Sequence, residues 1–132
     1  MKRLENIEGA IRLMFQDHEK KIFEKSLKVF KKEFQKGNEN LSFDELMRKP
    51  VSDEENDEYD VPTVEEQLRF YIGKIIYKDV IEPEIRHIDD NRLLEILDEK
   101  GYGCLFPWQN SISENYIEKI FNEIREVEKN AK

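Results

Sequence analysis

Residues 2–36 carry apolar side chains at helical spacing almost without a gap, and that stretch constrains the fold more than any other feature. Leu4, Ile7, Ile11 and Met14 step by three and four, and so do Phe23, Leu27, Phe30 and Phe34. The two series do not share one heptad frame. A bend, a turn between two helices or a stutter is therefore expected near Asp17–Lys21. Gly37 and Asn38 supply the stop after a lysine-rich last turn.

The rest of the chain continues in helices. Ser42 with Glu45 is a capping box that opens a short helix over Phe43, Leu46 and Met47, ended by Pro50. Residues 51–62 have no period and form an acidic loop that ends at Pro62. Thr63 with Glu66 makes a second box, and Val64, Leu68, Tyr71 and Ile75 follow at helical steps to about Val80, before Pro83 interrupts. The β-branched run in that region gives a short strand near 75–81 as the alternative, but strict alternation is absent. A helix is expected over Asp90–Lys100, with Gly101 as the residue after its cap. Ser111 with Glu114 opens the last helix, which places Ile117, Ile120, Phe121, Ile124 and Val127 on one face. The expected fold is all-α: one compact domain, residues 1–132, of five or six helices, or a small α+β domain if the strand forms.

Composition agrees with a folded chain. At 132 residues, roughly 70% of the unfolded surface can be buried. Eight Phe, five Tyr and one Trp are too many for a chain that stays disordered. With the single cysteine Cys104, no internal disulfide can form, so a reducing, cytoplasmic location is expected. The start of the chain lacks the apolar core of a signal peptide, and no apolar run reaches the ~18 residues of a membrane span.

Charge is placed unevenly. Between Val51 and Glu66 stand eight acids and no base: Asp53, Glu54, Glu55, Asp57, Glu58, Asp60, Glu65 and Glu66. Removing them from the 30 acids leaves 22 against 22 bases, so this segment holds the whole net charge of −8. Residues 1–36 are the counterweight, with ten bases and six acids. A charge run is usually a solvated loop, or one that folds back on a basic helix. The sharper reading is a docking surface for a basic protein partner, a nuclease or toxin, because concentrated negative charge speeds association and rejects wrong partners. Tyr59 amid the acids would add an apolar anchor, and so would Phe106 and Trp108 in the aperiodic segment Leu105–Trp108, if they face outward rather than plug the core. Direct nucleic-acid binding by the acidic surface is disfavoured, since phosphates would be repelled, and no direct nucleic-acid partner is expected.

Catalytic and metal motifs are weak. An EF-hand started at Asp53 meets Glu58 at the sixth position, where glycine is needed, and Val64 at the twelfth, where glutamate is needed. Glu84-Ile-Arg-His87 matches half of a di-iron motif, but Phe15 stands three residues before His18, so the second half is missing. One cysteine and two distant histidines do not make a zinc site. Asp89 and Asp90 are read as caps of the following helix, and His87 as an ordinary polar contact. Arg12-Leu-Met-Phe-Gln-Asp-His18 resembles the Arg-x4-6-His pattern of the HEPN ribonucleases, small helical proteins that cut RNA as dimers. That resemblance would make Arg12 and His18 the pair facing a shared cleft. It departs from the pattern at Leu13, where a polar residue is usual, and in its place early in the chain.

No cofactor, catalytic group or metal is expected. The expected function is an acidic protein-binding module, an inhibitor of the immunity-protein, antitoxin or anti-defence type, that occludes a basic surface of a nucleic-acid-handling protein. Asp53, Glu54, Glu55, Asp57, Glu58, Tyr59, Asp60, Phe106 and Trp108 are its expected contacts. The alternative is a non-catalytic adaptor or structural subunit that pairs through its amphipathic helices, as a homodimer for example.

Overall fold

The computed structural model describes residues 2–52, 61–102 and 111–130. Helix α1 runs over Lys2–Val29 and continues without a break into a π-helical segment, Phe30–Gln35. After it come α2 (Phe43–Arg48), α3 (Val64–Ile76) with a π-helical continuation Tyr77–Ile81, α4 (Glu82–Ile85), α5 (Asn91–Glu99) and α6 (Ser111–Asn130). The fold is all-α. Among the described residues the β geometry amounts to one isolated antiparallel bridge, Pro50 to Thr63. None of the described helices is long and apolar enough to cross a membrane.

The break expected near Asp17–Lys21 does not occur, and the buried residues show why. On α1 they are Leu4, Ile11, Phe15, Ile22, Ser26, Phe30 and Phe34. Half-buried Glu8 and His18 fill the gaps in that series. The stripe therefore steps 4-8-11-15-18-22 in one frame and then by fours to 26, 30 and 34. Steps of four overrun the α-helical turn by about 40° each. The wider π turn, closed by Lys36 N–H donating to the Lys31 carbonyl at 3.2 Å, keeps Phe30 and Phe34 on the core side. Phe23 and Leu27, which suggested the second frame, only flank the core.

A similar device carries the chain through Pro83. Instead of a strand near 75–81 or a helix that stops before the proline, the chain stays helical to Ile85. Glu82 N–H donates to the Tyr77 carbonyl, one residue further back than in an α-helix. Pro83 has no N–H to give, and its ring would collide with the carbonyl four residues before it in a regular α turn. The wider turn relieves both problems, and Pro83 then sits in the first turn of α4.

The expected punctuation is largely present. Ser42 Oγ accepts from Glu45 N–H and the Glu45 carboxylate from Ser42 N–H, a complete capping box. Thr63 Oγ1 accepts from Glu66 N–H, but here the Glu66 carboxylate bonds the threonine hydroxyl. Asp90 Oδ1 caps α5 by accepting from the N–H groups of Arg92 and Leu93. Gly37 and Gly101 lie at φ 87° and 89°, where a side chain would be strained. Helix α6 begins at Ser111 itself, and the residue that would cap it lies outside the described residues.

One core joins these helices. The rings of Phe15 and Tyr116 stack, Lys119 pairs with Glu19, and the Gln35 amide donates to Glu128 at 2.7 Å, so α6 runs alongside α1 in the same direction. Phe34 meets Tyr71 and Lys25 bonds Asp79 at 2.7 Å, so α3 and its continuation run the opposite way. Phe43 of α2 contacts both Phe30 and Phe121 and closes the end of the core near the lysine-rich terminus of α1.

Candidate functional site

Asp53, Glu54, Glu55, Asp57, Glu58, Tyr59 and Asp60, together with Cys104, Phe106 and Trp108, lie outside the described residues. Their attachment points are described. The acidic segment leaves and re-enters the fold through a closed stem. Val51 N–H donates to the Pro62 carbonyl at 3.0 Å and Val64 N–H to the Lys49 carbonyl at 2.8 Å, on either side of the Pro50–Thr63 bridge. Lys49 Nζ bonds Asn38 Oδ1 at 2.6 Å, which ties this stem to the carboxyl end of α1. The 103–110 segment is rooted at the other end, where the buried Tyr102 donates its hydroxyl to Glu8 at 3.0 Å. From Glu8 to Gln35 along the helix is roughly 40 Å. The fold thus roots the two expected anchor segments at opposite ends of α1.

Several acids near the stem are already matched. Asp44 lies 3.9 Å from Arg125 and 3.8 Å from Lys129. Glu65 lies 4.0 Å from Arg69, whose stronger partner is Glu118 at 2.6 Å. That hydrogen bond holds the Glu118 carboxyl below the ordinary range. Arg69 also stacks over Phe121, 4.3 Å from the ring centre.

The other sequence candidates are dispersed. Arg12 is exposed, whereas His18 is half-buried on the core stripe with Nδ1 enclosed and without a hydrogen-bond partner among the described residues. Six residues separate them on an unbroken helix, so their side chains diverge by about 120°. His87 is exposed in the turn after α4. Asp90, besides capping α5, bonds Arg3 at 3.0 Å. Among the described residues no three His, Cys, Asp or Glu side chains converge to hold a metal ion. Glu123 has its carboxyl raised by burial and by neighbouring Glu19, which is itself paired with Lys119, so this cluster bridges α1 and α6 on the surface. Burial, then the bond to Glu8, pushes the Tyr102 hydroxyl up.

A feature that sequence reasoning missed lies on the other side of the lysine-rich half of α1. Two shallow grooves of about 350 and 700 Å³ lie along that helix. Seven lysines line them: Lys25 and Lys28 from α1, Lys31, Lys32 and Lys36 from its π-helical continuation and the residue after it, and Lys74 and Lys78 from α3 and its continuation. Four acids share the lining, Glu24, Glu39, Asp79 and Glu82, which leaves seven minus four, or +3, on a chain whose net charge is −8. Asp79 is engaged by Lys25 and Glu82 by Arg86. Tyr71 and Tyr77 stand among the lysines, and Lys74 lies 5.3 Å from the ring centre of Phe70, which is 39% exposed. The local excess of lysine in residues 1–36 was visible in the sequence, but the arrival of Lys74 and Lys78 beside it was not.

The chain matches no protein-family model, no curated protein and no solved structure.

Proposed function

We propose that this protein is an acidic protein-binding module, an inhibitor that occludes a basic surface on a nucleic-acid-handling partner. The observation that carries the reading is the stem. An eight-residue stretch with six acids and no base, Asp53–Asp60, is set between two backbone hydrogen bonds and a β-bridge. Its ends are therefore fixed at one pole of the helical body before any partner arrives, which lowers the ordering cost of binding. Dense like charge there steers a cationic surface into contact, and steric blockage follows once it is seated. Asp53, Glu54, Glu55, Asp57, Glu58 and Asp60 supply the charge and Tyr59 an apolar anchor. Phe106 and Trp108, rooted at the far pole, would serve a separate contact.

The test is affinity capture from the host at about 50 and 500 mM salt, with the captured protein identified and its nuclease or toxin activity assayed with and without inhibitor. The expected result is a basic partner held at low salt, released at high salt, and inactive while held. A variant with Asp53, Glu54, Glu55 and Glu58 changed to Lys should keep its helix content and lose the partner. Equal capture by that variant would end the proposal.

A second reading, an adaptor pairing through its amphipathic helices, is favoured by Leu13, which stands 63% exposed on α1. It calls for a stoichiometric complex or a self-complex that persists at high salt and is lost in Leu13→Glu.

A further inference from the structure

Beyond that reading, and without resting on it, we infer that the lysine band of α1 and α3 is a binding surface for single-stranded nucleic acid. Lys28 near the end of α1, Lys32 in its π-helical continuation and Lys36 just after it are all exposed, so cationic side chains follow one another toward the carboxyl end of this element. A row of cations suits the repeated negative charge of a phosphate backbone. Lys74 and Lys78, also exposed and one turn apart, extend the charge across the neighbouring groove. Among the described residues none of these five lysines makes a close ion pair, though Lys36 stands near enough to Glu39 to act on its carboxylate, whereas Lys25 in the same grooves is bound to Asp79.

A polyanion with charge alone, such as an acidic polypeptide, would be served by the lysines and nothing else. The aromatic residues favour a ligand that also has flat rings. Tyr71 and Tyr77 line the same groove as Lys74 and Lys78, so aromatic and cationic side chains are interleaved there, and Phe70 lies beside Lys74 on the neighbouring flank of α3. Phe70 is 39% exposed, with the Lys74 ammonium over its ring and Tyr71 at its edge. A track of cations with aromatic platforms beside it is the recurring solution for strands whose bases are unpaired, because any base can stack while the backbone is neutralised. A duplex would hide its ring faces from Phe70 and Tyr77. The band is carried by a rigid part of the molecule, with Phe30 and Phe34 buried beneath α1 and Leu68 and Ile72 beneath α3. The backbone that carries the lysines is therefore in place before the strand binds.

The test is fluorescence anisotropy of the full chain with labelled 20-residue DNA and RNA strands, a 20-base-pair duplex, and polyglutamate as competitor. Five phosphate contacts predict a log-affinity versus log-salt slope of about −3.5, or about a hundredfold weakening from 50 to 200 mM salt. Lys28→Glu, Lys32→Glu and Lys36→Glu together, with unchanged helix content, should weaken binding at least tenfold and flatten the slope by about 2. Phe70→Ala should cost about fivefold or more with the slope unchanged, since stacking does not depend on counterions. Tighter binding of either single strand than of the duplex supports the inference, and the tighter of DNA and RNA names the strand. It is overturned by no binding of either strand at 50 mM salt, by wild-type affinity in the triple variant, by equal affinity for the duplex, or by polyglutamate competing as well as an unlabelled strand.

Discussion

The lysines of α1 are borne on a helix whose opposite side is the hydrophobic core, with Phe30 and Phe34 packed under Lys28, Lys31 and Lys32. The acids between α2 and α3 are joined to the body through the stem, where two hydrogen bonds and a bridge hold the ends at Lys49–Val51 and Pro62–Val64. Both regions are strongly charged, but their geometry is set by different forces. On the lysine side, apolar packing fixes the backbone from which each lysine extends. On the acidic side, a few polar contacts fix the roots. Charge position should therefore respond to core substitutions in the first region and to stem substitutions in the second.

Phe30→Ala is the largest blow to that distinction. Phe30 is fully buried against Phe43, and removing a ring from such a site costs about 3–5 kcal/mol. Urea unfolding should show that loss, and strand binding should fall once the lysine-bearing half of α1 frays. A loss below about 1 kcal/mol would mean that the lysine helix is not held by its core side at all.

Thr63→Ala acts on the other region. It removes the side-chain acceptor for Glu66 N–H at the point where the stem enters α3, at a cost of about 1 kcal/mol. Strand affinity should be unchanged while partner capture weakens. Weakened strand binding in this variant would show that the two charged regions are mechanically coupled.

Ser26→Ala sharpens the account of α1. Ser26 is fully buried on the core stripe, its Oγ enclosed without a hydrogen-bond partner among the described residues. Deleting the hydroxyl should leave stability equal or raise it by about 1 kcal/mol, read as a higher midpoint of thermal unfolding.

That same serine explains part of what the sequence hid. The core stripe of α1 passes through Glu8, His18 and Ser26, so counting apolar residues alone finds two broken series where there is one continuous face. Short-range signals were readable because their chemistry is local: the Ser42–Glu45 box, the Asp90 cap and the left-handed glycines at 37 and 101 all stand where their side chains or φ angles require. The π turns were not, because a one-residue widening leaves no compositional mark, and Pro83 read as a stop when the widened turn lets it continue. Of the candidate surfaces, the acidic run is contiguous and was visible at once. The lysine band joins residues some 40–50 positions apart, such as Lys28 and Lys74, and needs the antiparallel contact of α1 with α3 to exist.

Away from both regions several charges are paired, such as Arg69 with Glu118 and Lys119 with Glu19, and two glutamates of α6 test how far that pairing goes. Glu118 has a depressed carboxyl because Arg69 donates to it, so its contribution is present above the ordinary carboxylate value and is lost as pH falls through the lower folded one. Glu123 is raised, chiefly by burial and then by Glu19. Its protonated form is favoured in the fold, so the stability it gives is present at low pH and is lost as pH rises through the folded value. At about pH 7, Glu118→Gln should therefore cost about 0.5 kcal/mol and Glu123→Gln should gain about 0.3, both small because the groups are largely solvated. Both effects should shrink toward zero when unfolding is repeated in acid, below the ordinary carboxylate value. If the two variants shifted in the same direction at neutral pH, the charges of α6 would be acting as one field and not as separate pairs, and the contrast between matched and unmatched regions would lose its basis.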